Sequence, residues 1–127
     1  MDIELLGKEI LGAAIEVHRQ LGPGLLESSY EACLEYELKL RGIQTRRQAV
    51  LPICYKGLQL DEGYRLDLLV DGQIVLELKA VEKMNDIHMA QIITYLRLSQ
   101  CKLGYLLNFN VAKMKDGIRR VVNGLPE

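Results

Sequence analysis

At 127 residues, 49% hydrophobic and 26% charged, the chain is long enough for one domain with a real core. Its formal net charge of −1 excludes a broadly basic nucleic-acid coat and leaves a local positive patch as the means of gripping phosphate. Cys33, Cys54 and Cys101 show no metal-ligand spacing, and the odd count fits a reducing compartment. With neither a secretory signal nor an apolar stretch able to span a bilayer, the expectation is a cytoplasmic protein without a membrane partner.

The spacing of Leu6, Ile10, Ala13, Ala14, Val17 and Leu21 predicts a helix over Ile3 to Gln20, with Asp2 as its cap. His18 lies beside that stripe and reads as a packed or exposed histidine. Gly22-Pro23-Gly24 ends the helix. A second helix is expected from about Leu26 to Leu40, ending before Gly42. On it Glu27, Tyr30 and Glu31 share a side. Glu27 falls in the first turn, where free N–H groups favour a carboxylate. It serves either as that local charge or as an acid held over a site.

Gln44 to Tyr55 reads as one strand, with Pro52 implying an edge or a bulge. Arg46 and Arg47 read as solvated or as phosphate contacts. A turn at Lys56-Gly57 follows, then a brief extension of the sheet over Leu58 to Asp61 and a turn at Glu62-Gly63. Arg65 to Val70 and Ile74 to Lys79 are apolar strands joined around Asp71-Gly72, a strong hairpin signal. Asn85 or Asp86 caps a helix reaching about Ser99, with Ile87, Ala90, Ile93 or Thr94, and Leu98 expected on its packed side. Gln91 and Tyr95 stand four apart and face the same way. Lys102 to Val111 returns as a strand, Met114 to Gly117 turns, and Ile118 to Val122 is a short final strand. The three cysteines read as small apolar fillers, Cys33 helical and the others strand-like. A helical crossover after Lys79 suits a parallel return, so the expected fold is α/β: a mixed sheet flanked by helices.

Three charges interrupt the apolar hairpin: Asp67, Glu77 and Lys79. Buried charges are costly unless paired or bound to a metal. Strand alternation puts Glu77 and Lys79 on one face. Asp67 depends on the loop. A two-residue Asp71-Gly72 turn sets Asp67 opposite Leu76 and away from Glu77. A three-residue loop, Asp71-Gly72-Gln73, sets Val70 against Ile74 and Asp67 against Glu77. A bulged loop Val70-Asp71-Gly72 sets Asp67 near Val75. Adjacent carboxylates would repel unless a cation, a proton or a lysine intervened. An all-oxygen set suits Mg2+ or Mn2+, which can polarise a phosphate. Lys79 would then act on the attacking water or on developing charge, with Glu27, Gln91 and Tyr95 close by. The competing reading is a carboxylate–lysine network with no substrate.

Asp67, then Glu77-Leu78-Lys79, then Gln91-x-x-x-Tyr95, resembles the PD-(D/E)xK nuclease superfamily. Gly24-Leu25-Leu26-Glu27-Ser28-Ser29-Tyr30 is similar to the signature of its GxxExxY family. The resemblance runs from about Ile3 to Arg120, with Leu66 where a proline is usual. It implies a restriction-endonuclease-like core, with a mixed sheet of four or slightly more strands, over residues 1–127 as one domain. It implies a Mg2+- or Mn2+-dependent nuclease acting on DNA or RNA. The metal ligands would be Asp67, Glu77 and Glu27, and the catalytic set Lys79, Glu77, Asp67, Gln91 and Tyr95. Phosphate contacts would come from Arg46, Arg47, Lys83, Lys102, Arg119 and Arg120, and the small size permits a homodimer. The alternative function is a non-catalytic nucleic-acid- or protein-binding module that keeps the fold and its acids.

Overall fold

A computed structural model describes residues 1–61 and 63–127. Helix α1 spans Ile3–Leu21. Asp2 fixes its start by accepting the Leu5 N–H at 3.2 Å. Helix α2 spans Glu27–Leu40. Between them Gly22 and Gly24 take φ of 70° and 100°, a region open to glycine at little cost. Tyr30 holds this turn. Its hydroxyl donates to the Gly22 carbonyl at 2.6 Å and accepts the Leu25 N–H at 3.1 Å. Its ring stacks on Phe109 with centroids 4.6 Å apart.

Five strands form the main sheet: β1 (Thr45–Val50), β4 (Arg65–Val70), β5 (Ile74–Lys79), β6 (Leu103–Asn108) and β7 (Ile118–Val122), in the spatial order β1-β4-β5-β6-β7. Among the described residues, β5 and β6 pair in parallel and the other three pairs of this sheet are antiparallel. Helix α3 (Asp86–Ser99) makes the crossover between them. Helices α1 and α2 cover one face, packing on Leu68, Val70, Ile74, Leu76 and Leu78. Helix α3 covers the other, packing Ile92 and Leu96 on Leu66, Leu69, Val75 and Leu106. Both faces of β4 and β5 are therefore buried, which explains their unbroken apolar runs. This is the expected mixed α/β architecture, one strand larger than its core of four.

Several expectations need correction. Gln44 to Tyr55 is two strands. β1 ends at Val50, and Ile53–Tyr55 is β2, which pairs with β3 (Leu58–Leu60) in a separate two-stranded sheet. Pro52 has no N–H to continue a ladder, and the Leu51 N–H donates instead to the Tyr64 carbonyl at 3.0 Å. Leu58 to Asp61 thus adds nothing to the main sheet. Of the Glu62-Gly63 turn, Glu62 lies outside the described residues.

The phase of α3 also differs from expectation. Ile87 is 75% exposed and Ile93 44%, while Ile92 and Leu96 are fully buried. The apolar residues of this helix occur all round it, so periodicity alone selects the wrong stripe. Asn85 caps α3, accepting the Ile87 and His88 N–H groups, and His88 Nδ1 accepts the Asn85 N–H in return at 3.2 Å. Cys33 and Cys54 are exposed, and Cys101 is buried in the turn before β6. His18 is a packed histidine, with Nε2 2.8 Å from the Val111 carbonyl oxygen. Among the described residues, no helix is long and apolar enough to cross a membrane.

Candidate functional site

The β4–β5 loop decides the site. Val70 pairs with Ile74, so Asp71, Gly72 and Gln73 form a three-residue loop. Asp71 and Gly72 both take positive φ, 53° and 64°, and the Gln73 N–H closes on the Val70 carbonyl at 2.9 Å. This is one of the two odd arrangements; the paired register ends at Leu68–Leu76, and Asp67 and Glu77 are the next residues on the two strands. There the side chains take over from the ladder. The Asp67 N–H donates to Glu77 Oε2 at 2.9 Å, and the Leu78 N–H donates to Asp67 Oδ2 at 2.9 Å. Each carboxylate is thus fixed by the other's strand.

The electrostatics are unfavourable to two bare charges. Glu77 is 4% exposed. Burial, and then the neighbouring Asp67 charge, push its carboxyl up to about 8, against the smaller opposing effects of the Asp67 N–H and Lys79. Burial also raises Asp67, offset in part by the Leu78 N–H. Lys79 is half-buried at the end of β5, and its Nζ donates to Gln91 Oε1 at 3.4 Å. Gln91 Nε2 in turn lies 3.2 Å from the Tyr95 hydroxyl. Burial, with the Glu77 charge second, raises the Tyr95 phenol. The true phase of α3 produces this contact, because it turns Gln91 and Tyr95 toward the sheet beside Ile92 and Leu96.

Glu27 arrives from the first turn of α2, but its Oε2 accepts the Ala80 N–H at 3.4 Å. Among the described residues, no three His, Cys, Asp or Glu side chains form a group able to hold a metal. Asp67 and Glu77 are therefore brought together, with Lys79, Gln91 and Tyr95 as one chain beside them and Glu27 at the rim. The pair fits a hard divalent cation by chemistry: oxygen donors only, and two acids whose mutual repulsion a cation would relieve.

Three residues outside the sequence-derived set shape the site. Glu31, buried on α2, pairs with Arg47 Nε at 2.8 Å. Its charge disfavours ionisation of both Asp67 and Glu77. The i+4 spacing from Glu27 is the available signal. Gln48 donates to Glu31 Oε1 at 2.8 Å and reaches Asp67 Oδ1 at 3.5 Å. Asn108, opposite Lys79 in the parallel ladder, clamps Val81 through both of that residue's backbone groups. Neither Gln48 nor Asn108 carries a sequence signal.

The expected phosphate contacts shrink. Arg47 is held by Glu31, and Arg120 is held by Glu4 in a two-bond fork at 2.9 and 3.0 Å. Arg119 donates to the carbonyls of Asp116 and Ile118. Lys102 precedes β6, at the end of the sheet that carries the β4–β5 loop, away from Lys79. Arg46 and Lys83 remain exposed.

A family model described as the PD-(D/E)XK nuclease superfamily matches residues 4–121. No curated protein and no solved structure matches the chain.

Proposed function

We propose, from the premise that this chain belongs to the PD-(D/E)XK nuclease superfamily, that it is a metal-dependent phosphodiesterase cleaving DNA or RNA. Nucleases of this superfamily generally use divalent metals and act on nucleic acid; the choice of Mg2+ or Mn2+, and of the GxxExxY branch, is our reading. One observation carries it: Asp67 and Glu77 each accept a backbone N–H of the other's strand where the hairpin ladder ends, and Lys79 follows at the same strand end.

Asp67 and Glu77 would hold the cation. Bound there, it would supply Lewis acidity at a phosphate oxygen. Lys79 stabilises the charge that develops on the phosphate or takes the proton of the attacking water. Gln91 orients the Lys79 amine, and Tyr95 orients Gln91. The Gly24, Glu27 and Tyr30 of the signature have separable tasks. Gly24 and Tyr30 build the turn that starts α2, and that start delivers Glu27 to the Ala80 N–H beside Lys79.

A second reading is favoured by one observation, the lack of a third ligating side chain among the described residues. In that reading the fold binds nucleic acid or protein without cutting. Cleavage of labelled single- and double-stranded DNA and RNA, with Mg2+ or Mn2+ against chelator, separates the two. We expect cleavage that requires the metal and falls about 10²- to 10⁴-fold in Lys79→Ala. The same variant should retain the metal-induced rise in Tm. No cleavage across the panel, with nucleic-acid binding retained, would support the module. The absence of both cleavage and any metal response would overturn the nuclease reading.

A further inference from the structure

β1 and β4 change faces together. In β4, Leu68 and Val70 pack under α1 and α2, whereas Leu66 packs under α3. Residues two apart in a regular strand share a face, so the alternation breaks at Asp67. In β1, Arg47 reaches α2 through Glu31 and the Ser28 carbonyl, whereas Ala49 packs under α3. That break falls at Gln48. Arg47 pairs with Leu68 and Ala49 with Leu66, so Gln48 stands opposite Asp67. Gln48 takes φ 54°, a left-handed conformation that costs a non-glycine residue on the order of 1 kcal/mol or more.

The kink has a consequence for the carboxylates. It brings the Gln48 amide, exposed at the sheet edge, between two acids. One bond runs to buried Glu31 at 2.8 Å, and the longer one to Asp67 Oδ1 at 3.5 Å. Glu31 is itself anchored by Arg47 at 2.8 Å. Asp67 Oδ2 is held by the Leu78 N–H at 2.9 Å. Both oxygens of Asp67 are therefore addressed, one by β5 and one by Gln48. Gln48 is thus the side chain that hydrogen-bonds both Glu31 and Asp67.

We infer that Gln48 is a positioning residue for the cation site: strained into the β1 kink and tied to Glu31, its amide fixes the rotation of the Asp67 carboxylate so that it faces Glu77. The inference rests on the reading of Asp67 and Glu77 as the cation-holding pair. Partners of this kind, which orient a ligating carboxylate without touching the metal, typically change metal affinity about 10- to 100-fold when removed.

Gln48→Gly is the discriminating variant. Glycine adopts positive φ without strain, so the kink survives while the amide is lost. Without metal, Tm should be unchanged or higher than in the parent. Titration with Mn2+, followed by calorimetry and by the Mn2+-induced rise in Tm, should show affinity about tenfold weaker. A Gln48 that only shapes the strand predicts the same Tm behaviour but Mn2+ affinity equal to the parent's. That result overturns the positioning role and leaves the nuclease reading intact. A parent chain that binds no Mn2+ overturns both. Gln48→Asn is a second check, since asparagine tolerates the left-handed region yet is one methylene too short to span Glu31 and Asp67. It should weaken Mn2+ binding as glycine does, and full affinity in Gln48→Asn would also overturn the role.

Discussion

At the scale of single residues, Glu77 concentrates the tension of this molecule. It is an acid in a strand buried on both faces, opposite another acid. Its carboxyl titrates near 8 in the folded chain against about 4.5 when free. Between those values the native state holds a proton that the unfolded chain has released. Stability is therefore full below about 4.5 and is lost as pH rises through about 8. Each pH unit that separates the folded and free values is worth about 1.4 kcal/mol, so the fall across this window is on the order of a few kcal/mol. Urea unfolding across the window without divalent cation should show that decline, and Glu77→Gln should flatten it. A parent whose stability rises over the same range would contradict this account of Glu77. Protons and a cation would compete for the same oxygens, so the Mn2+-induced rise in Tm should grow with pH.

At the scale of elements, the β4–β5 hairpin is a parity device. The two strands are apolar on both sides, so burial does little to choose a register by itself. The loop makes the choice. Asp71 and Gly72 both occupy the left-handed region, and Gln73 completes an odd count. Deleting Gln73 should force a two-residue loop that pairs Val70 with Ile74 as immediate neighbours of the turn. Either β5 keeps its faces at the expense of a strained loop, or it slips by one and sends Glu77 into the α1–α2 core. We expect the deletion to lose several kcal/mol in urea unfolding and to abolish the Mn2+ response. Retention of parental Mn2+ affinity would show that the loop does not set the pair. The helices differ in how far local pattern reveals them. α1 and its Asp2 cap are directly legible, because Leu6, Ile10, Ala13, Ala14 and Val17 recur on one buried stripe, with only Leu5, Ile15 and Leu21 exposed among its larger apolar residues. In α3 the pattern points to another stripe, because Ile87, Ala90, Ile93 or Thr94, and Leu98 offer as good a spacing as Ile92 and Leu96. Spacing pairs Gln91 with Tyr95, but only the packed helix turns them toward Lys79.

At the scale of the molecule, the site lies where several ends meet. The last residue of β5, the first residues of β4, the start of α2 and the inward side of α3 converge at one end of the sheet. Crevices at the carboxyl ends of strands are the usual ligand positions in open α/β sheets. A cation held there would bridge β4 and β5 and stabilise the whole fold by linkage. At about one hundred times its Kd, Mg2+ or Mn2+ should add about 2.7 kcal/mol, read as a rise in Tm that Asp67→Ala and Glu77→Ala both remove. An equal rise in either variant would place the metal elsewhere. Of the arginines named as phosphate contacts, Arg47 and Arg120 are paired with acids, while Arg46 stays exposed.

The sequence by itself determined the order of the helices, the mixed sheet with its helical crossover, and the residue types of Asp67, Glu77, Lys79, Gln91 and Tyr95, but not the break of Gln44 to Tyr55 into two strands of different sheets. These follow from local patterns: periodicity, capping residues, turn formers and charges in apolar strands. It also narrowed the hairpin to arrangements that do or do not assemble the acids. Only the tertiary structure decided among them, because loop parity depends on how Asp71 and Gly72 settle between two packed faces. Only the structure recruited Glu31 and Gln48, which lie 36 and 19 residues before Asp67 and meet it through a kink that two neighbouring strands share. No local pattern encodes such a meeting, since it is a property of strands that are already paired.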